Sequence, residues 1–247
     1  MSSFGELSST PAGAFRTTHW SVVLTAKDLE NDGGERAMAT LCQEYWRPVY
    51  VFIRRKGNGP DESQDLAQEF FHRLIAKEFL QNVDREKGKF RTFLLTAVQR
   101  FLCNEWERSQ AQKRGGGTAT VSWDHEVAEN LYLNEPADAL SPEKLFDRRW
   151  ALTLLEGALK DLEAEYTRAG KAELFRVFQP FIVGESEHGD YPAAAASLEL
   201  TDGNARQCVL RMRRRYGERL RERIAETVET AAAVEEELRS LHAALSS

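Results

Sequence analysis

Apolar residues recur every three or four positions along most of this chain, which is the spacing of amphipathic helices. No run alternates apolar and polar residues with the two-residue period of a strand, and no hairpin dipeptide joins two such runs. The sequence therefore predicts an all-α fold of two small helical domains joined by a flexible linker. The clearest stripe, predicted to lie entirely in the core, contains Phe93, Leu94, Ala97, Val98, Phe101, Leu102 and Trp106.

The charged residues are segregated along the chain. Lys and Arg number 33 against 39 Asp and Glu, a formal charge of −6, which excludes a protein that is basic throughout. The segment 203–223 nevertheless holds eight arginines and two glutamates, and acidic residues cluster at 226–237. A positive segment inside an acidic chain is typical of a local nucleic-acid contact.

Several classes of protein are not supported by the composition. Cys42, Cys103 and Cys208 are too far apart for a CxxC metal site and too few for a disulfide framework, which favours a reducing cytoplasm. The five histidines show no ligand or general-base spacing, so we expect no catalytic residue, metal or cofactor. No apolar run approaches the roughly 18 residues that span a bilayer, and residues 1–16 are expected to be a mobile tail without a signal peptide.

The first half of the chain contains two helices with polar faces. Asp61 is predicted to cap the first of them, with Gln64 completing a capping box. Before it, we expect residues 19–24 to form a short element and residues 37–55 to form a helix that Pro48 kinks or breaks. The polar sides of the two helices are either solvated surfaces or contacts for polar partners. They carry Asp65, Gln68, Glu69 and His72 on the first, and Arg91, Gln99, Arg100, Asn104 and Arg108 on the second, with Lys113 and Arg114 beyond it.

The second half begins after a linker at residues 114–140. Ser141 and Pro142 predict the start of a long helix that ends at Gly170, and Pro180 and Gly184 are expected to end the next one. Residues 192–198, a turn at 199–201, and a helix from 202 to about 223 with Thr201 as its N-cap then have the spacing of a helix-turn-helix.

The register of this pattern places apolar residues inward and polar residues outward. Arginine suits guanine edges and phosphates, and asparagine or glutamine suits adenine. The alternative is an ordinary exposed arginine-rich helix. Ala195, Leu198, Ala205, Val209 and Met212 are predicted to pack inward, and Asn204, Arg206, Gln207, Arg211 and Arg214 to face DNA.

Three motifs together resemble bacterial RNA polymerase sigma factors of the extracytoplasmic-function group, which keep only sigma domains two and four. Residues 61–71 (DESQDLAQEFF) resemble the segment that contacts the clamp helices of the polymerase. Residues 90–94 (FRTFL) through 104–108 (NEWER) resemble the helix that grips and melts the minus-ten element. Residues 191–216 are similar to the helix-turn-helix that reads the minus-thirty-five element.

The resemblance implies two macromolecular partners, core RNA polymerase and promoter DNA, with an anti-sigma factor or other regulator as a further possibility. It assigns sigma domain two to residues 17–113, sigma domain four to 141–223, and an acidic helical extension to 224–247. The implied polymerase contacts are Asp61, Asp65, Gln68, Glu69 and His72. The implied minus-ten contacts are Asn82, Lys87, Lys89, Arg91, Arg100, Asn104, Arg108, Lys113 and Arg114.

Residues 19–24 (HWSVVL), 113–117 (KRGGG) and the extension resemble a subgroup common in planctomycete-type bacteria. The chain departs from the family at residues 95–100 (LTAVQR), where Arg100 replaces the usual asparagine, so the minus-ten base preference does not carry over. Two alternatives remain open: a stand-alone helix-turn-helix regulator, and a sigma-like regulator that binds polymerase without melting promoters.

The extension carries a short heptad-like stripe of Val234, Leu238, Leu241 and Leu245 behind three glutamates. Two heptads are too short for a coiled coil, so we expect this stripe to pack on the rest of the chain or on a partner. We further expect the acidic helix to restrain domain four, so that truncation after Thr230 raises promoter binding.

Overall fold

The computed structural model describes residues 32–76, 89–111, 129–130, 132–133, 140–184, 191–228 and 230–246. Within these ranges the regular structure is entirely helical, which confirms the predicted fold class. The predicted tail, the element at 19–24 and most of the linker lie outside them. The helices are α1 (Asp32–Arg55), α2 (Pro60–Ile75), α3 (Phe90–Ala111), α4 (Pro142–Arg168), α5 (Ala172–Ile182), α6 (Tyr191–Ser197), α7 (Asp202–Thr227) and α8 (Ala231–Ser246).

The predicted cap of α2 is wrong. Gly59 occupies the N-cap position in extended backbone, no side chain bonds the first amides, and Pro60 takes the first helical position. Proline suits that position because its φ is already helical and its missing N–H would have had no partner there. Asp61 consequently lies inside the first turn, where the helix dipole favours its charge.

Two helices continue through prolines, of which Pro48 was expected to kink or break α1 and Pro180 to help end α5. α1 runs through Pro48 to Arg55, and α5 runs through Pro180 to Ile182. An internal proline costs about 3 kcal/mol. Burial of neighbouring apolar side chains offsets this cost, since Tyr45, Val49 and Phe52 are all fully buried on α1.

The start and end predicted for α4 are confirmed. The Ser141 hydroxyl accepts the Lys144 N–H at 3.3 Å, and Pro142 follows at the first position. At the other end Gly170 has a φ of +70°, and the Lys171 N–H reaches back to the Tyr166 carbonyl at 2.8 Å. A left-handed residue with this bond forms a Schellman cap, which glycine makes without steric cost.

The larger core joins the helices of both predicted domains. Tyr45 of α1 stacks on Trp150 of α4 with ring centroids 4.2 Å apart, and Phe90 of α3 contacts both rings. Phe52 and Phe146 add a second aromatic pair between α1 and α4. The N-terminal half of α4 thus packs with α1 to α3, across the predicted boundary at residue 141, and the domain assignment stays a prediction.

A smaller core lies around the helix-turn-helix. Phe175 and Phe178 of α5 and Leu162 of α4 are buried against Ala195 of α6 and Val209 of α7. α4 and α7 pass through both cores, so the two halves of the described structure share two continuous helices. None of the helices in the described ranges is long and apolar enough to cross a membrane.

The stripe predicted for α3 is correct except at its end. Leu94, Ala97, Val98 and Phe101 are buried, but Trp106 is 65% exposed. The apolar period continues for one turn beyond the part of α3 that packs on the core. Trp106 instead lines a groove of about 800 Å³ together with Leu66 of α2 and Lys56 at the end of α1.

Candidate polymerase and nucleic-acid interfaces

The polar face of α2 is an acidic surface that remains accessible. Asp61, Asp65 and His72 are exposed and Gln68 is half-buried. At 100° per residue these four positions lie within 60° of one another around the helix. Glu69 lies to the side, where it accepts a bond from Arg73 Nε at 2.7 Å. Arg73 also pairs with Glu105 of α3 at 2.9 Å, so Glu69 belongs to the contact between α2 and α3.

The residues predicted to contact minus-ten DNA do not form one surface. Arg100, Asn104 and Arg108 are exposed and follow one another at four-residue spacing along α3. Arg91 lies nine residues before Arg100, which places it on the opposite side of the helix. Four further candidates, Asn82, Lys87, Lys113 and Arg114, lie outside the described residues.

Lys89 and Arg91 are held by acidic residues of other helices. Arg91 Nε donates to Glu237 of α8 at 2.8 Å, and its Nη1 donates to Asp147 of α4. Lys89 Nζ lies 3.0 Å from the same Glu237 carboxylate and 2.8 Å from Glu236. Burial alone would lower the pKa of Arg91, but the bonds and charge of Glu237 and Asp147 outweigh it and raise the pKa.

Two helices joined by a tight turn are present where the helix-turn-helix was predicted, with α6 beginning and ending one residue before the predicted 192–198 and α7 continuing past residue 223 to Thr227. Glu199 adopts a φ of +55° after α6, and the Leu200 N–H reaches the Ala195 carbonyl at 2.9 Å, which makes a Schellman cap. The Thr201 hydroxyl then accepts the Asn204 N–H at 3.3 Å and caps α7. Ala195 is buried between the two helices. The turn is therefore fixed at both sides by backbone and cap bonds.

The outward residues of α7 are exposed as predicted. Asn204, Gln207, Arg211 and Arg214 lie within 80° of one another around the helix, and Arg206 marks the far edge of the same face. Leu210 lies between Arg214 and Arg206 around the helix and is 60% exposed. An apolar side chain there suits the methyl group of thymine. Sequence reasoning missed Leu210, although its 3.6-residue register already placed it outward.

The other arginines of the positive segment are used within the protein. Arg213 donates two bonds to the Phe181 carbonyl at 2.9 and 2.6 Å. Arg215 and Arg219 both bond Glu165 of α4, at 3.0 and 2.9 Å. Burial alone would raise the pKa of Glu165, but these two guanidinium groups hold it below its ordinary value. Within the described part of the chain, the arginines of the N-terminal half of α7, by contrast, make no ion pair with another helix, although Arg214 pairs with Glu218 of α7 itself at 3.3 Å.

Arg223 joins three helices at the far end of α7. Its Nε and Nη2 donate to the Asp161 carboxylate of α4 at 2.6 and 3.1 Å, and its Nη1 bonds Glu44 of α1. Gly157 of α4 lies directly against the guanidinium group. Further pairs between α1 and α4, such as Arg47 with Glu156 at 2.7 Å, extend this polar seam.

Nothing in the described ranges provides a metal site, since no three His, Cys, Asp or Glu side chains converge there. No curated protein and no solved structure matches the chain. The model of the ECF sigma factor family, by contrast, matches residues 28–188, which is well over half of the sequence and includes α1 to α5. The chain therefore belongs to the family of ECF sigma factors, non-enzymatic proteins that bind RNA polymerase and direct promoter-specific initiation of transcription.

Proposed function

We propose that this protein docks on core RNA polymerase through the acidic face of α2 and reads promoter DNA with α3 and α7. The observation that supports it most is that a family match covering α2 and α3 is followed by an exposed polar face on α7. Asp61, Asp65, Gln68 and His72 would meet basic polymerase surface, with Glu69 at the edge.

The proposed DNA contacts divide into two groups. Arg100, Asn104 and Arg108 would hold unstacked bases and phosphates of the minus-ten element. Arg91, on the opposite side of α3, and Lys89 would bind phosphates of the same element at a separate surface, and the candidates outside the described residues would complete the set. Extruding a base costs a few kcal/mol, which phosphate contacts and a preformed surface must offset. On α7, Asn204, Arg206, Gln207, Leu210, Arg211 and Arg214 would contact the minus-thirty-five duplex.

The chain would act in the cytoplasm, where core polymerase is found. The packed C-terminal helix is compatible with the extension-bearing subgroup common in planctomycete-type bacteria, to which we assign it. An anti-sigma factor is a further partner of this proposal, and the exposed acidic face of α2 is a surface that such a regulator could cover.

The test begins with selection of genomic fragments by holoenzyme reconstituted from core polymerase and this protein. A selected fragment then serves as the template for run-off transcription. We expect a promoter-dependent transcript only when core polymerase and the protein are both present. A stand-alone regulator would shift duplex DNA by itself and support no transcript. A sigma-like regulator without melting would form a holoenzyme complex whose promoter thymines stay unreactive to permanganate.

Matched variants separate the two proposed surfaces. Asp65→Arg should weaken core polymerase binding, whereas Glu163→Arg, on an exposed position of α4, should not. Arg211→Ala should weaken duplex binding and reduce its salt slope by about 0.9, the value for one neutralised phosphate. Arg176→Ala on α5, also exposed, is the control. Equal effects of test and control variants would contradict the assigned surfaces.

A further inference from the structure

The acidic helix α8 lies against the cations of domain two as well as against α7. Its Glu237 is fully buried, with a side chain only 1% exposed, although glutamate is rarely buried without partners. Both carboxylate oxygens are bonded, Oε1 by Arg91 Nε at 2.8 Å and Oε2 by Lys89 Nζ at 3.0 Å. Glu236 adds a second carboxylate to Lys89.

The position of Glu237 is fixed by packing that is independent of these charges. Val234 and Leu241 of α8 are buried in the larger core, and Leu238 and Leu245 pack against it. The stripe predicted from the sequence therefore packs on this chain, mainly on α4 and α7. At the end of α8, Arg148 of α4 donates to the Leu245 carbonyl at 3.1 Å.

The bonds made by Glu237 are those that a phosphate would make. Arginine and lysine bind carboxylates and phosphates with the same charge-assisted geometry, so one anion excludes the other. Lys89 and Arg91 are 21% and 14% exposed at their side chains, too little to bind a nucleic-acid backbone while Glu237 remains in place.

We propose that α8 is an intramolecular competitor for nucleic acid, in which Glu237 and Glu236 occupy Lys89 and Arg91 until the helix is displaced. The proposal rests on the function proposed above for these two cations. It differs from the expected restraint of domain four, because the bonds of Glu236 and Glu237 are to residues of domain two. Glu235, by contrast, pairs with Arg221 of α7 at 2.9 Å.

Adjacent glutamates of α8 provide the test and its control. Glu237→Gln keeps the shape of the side chain but removes the one carboxylate that binds both Lys89 and Arg91, while Asp147 still pairs with Arg91 and Glu236 still pairs with Lys89. Glu236→Gln changes an exposed position that contacts Lys89 and leaves the buried carboxylate intact. Glu235→Gln removes the same charge from the same helix but affects Arg221 on α7. Circular dichroism confirms that each variant is folded.

Two readouts are measured on each full-length variant. The first is the labelling rate of Lys89 by an amine-reactive reagent, followed by peptide mass spectrometry. The second is the affinity for a fluorescent single-stranded 12-mer of mixed sequence, without polymerase. A closed contact that favours the occupied state tenfold lowers the apparent affinity about tenfold. We therefore expect Glu237→Gln to bind the oligonucleotide up to about tenfold more tightly than the wild type and to be labelled faster at Lys89. Glu236→Gln should show a smaller increase in both the affinity and the labelling rate. Glu235→Gln should match the wild type in both.

Faster labelling of Lys89 without tighter DNA binding would overturn the competition while leaving the contact itself intact. Unchanged labelling in both Glu236→Gln and Glu237→Gln would overturn the contact. An equal gain in DNA affinity in Glu235→Gln would overturn the proposal, because it would show that α8 acts through its contact with α7 in domain four. None of these results depends on the run-off assay, so failure of the sigma function and failure of this inference are distinguishable.

Discussion

Gly157 should be a position where the usual effect of replacing a helical glycine is reversed. A Cβ added there would lie 2.5 Å from Arg223 Nη1 and 2.6 Å from its Cζ. Real Cβ atoms do not approach other atoms so closely, so the guanidinium group would have to move by roughly 1 Å. It is held in place by two bonds to Asp161 and one to Glu44, and these bonds would lengthen or break.

The magnitude follows from two opposing terms. Alanine in place of glycine inside a helix contributes about 1 kcal/mol. Hydrogen bonds to charged groups contribute about 1.5–3 kcal/mol each. Because Arg223, Glu44 and Asp161 are 20%, 25% and 40% exposed, we halve that figure, which gives roughly 2–4 kcal/mol for three bonds. Gly157→Ala should therefore lower the free energy of unfolding by about 1–3 kcal/mol.

Gly217 on α7 is the matched control. Its added Cβ would meet Arg221 Nη1 at 3.5 Å, an ordinary contact, so Gly217→Ala should stabilise the protein by up to about 1 kcal/mol. In urea unfolding followed by circular dichroism and fluorescence, with a slope of about 2–3 kcal/mol/M, the two midpoints should differ by roughly 1 M. A Gly157→Ala midpoint at or above that of Gly217→Ala would refute the reasoning. In an Arg223→Met background the substitution should become stabilising.

Three other predictions address single side chains. Burial raises the pKa of Cys42 to about 12. A thiol reagent at pH 8 should therefore label exposed Cys103 rapidly and leave Cys42 unlabelled until the protein unfolds. Rapid labelling of Cys42 in a folded Cys103→Ser variant would contradict its burial. Trp106→Ala should change the free energy of unfolding by about 0.5 kcal/mol or less, whereas Trp150→Ala should lower it by about 3–5 kcal/mol, as urea midpoints would show. The Arg54 guanidinium, with burial opposing it, lowers the pKa of Glu129 below its ordinary 4.5. The wild type should therefore be more stable than Glu129→Gln by about 1 kcal/mol at pH 7 and should lose this difference as the pH falls below 4.5. A stability difference that persisted in acid would show that the ion pair is not its source.

The sequence was sufficient to predict features that depend only on residues nearby in the chain, such as the starts of helices. Ser141 with Pro142 and Thr201 with Asn204 place the starts of α4 and α7, since capping involves residues within one turn. The prediction for Asp61 failed because a competing local signal, Pro60, takes the first helical position. The predictions for Trp106 and Pro180 failed because burial, which depends on the rest of the fold, decides how far a stripe is covered and whether a proline is tolerated.

The sequence predicted which residues of α7 face outward, but it could not predict which charged residues form ion pairs with other helices. The outward face of α7 follows from its 3.6-residue period, so four of its members lie on one stripe as expected. Arg91 and Glu237 are 146 residues apart, and no local pattern indicates that they meet. For the same reason the positive segment could not be divided beforehand into arginines that face outward and arginines, such as Arg215 and Arg223, that bind glutamates and aspartates of other helices.

The continuity of α7 has a mechanical consequence. Its 26 residues form one rod of about 39 Å, with Arg206 near one end and Arg223 about 25 Å further along. A tilt of about 10° at the Arg206 end would displace Arg223 by roughly 4 Å, more than the bonds to Asp161 and Glu44 can follow. A ligand that binds the first turns of α7 and tilts the helix therefore strains the bonds that Arg223 makes to α1 and α4. Conversely, those bonds fix the tilt of α7 and so the angle at which its first turns meet the ligand.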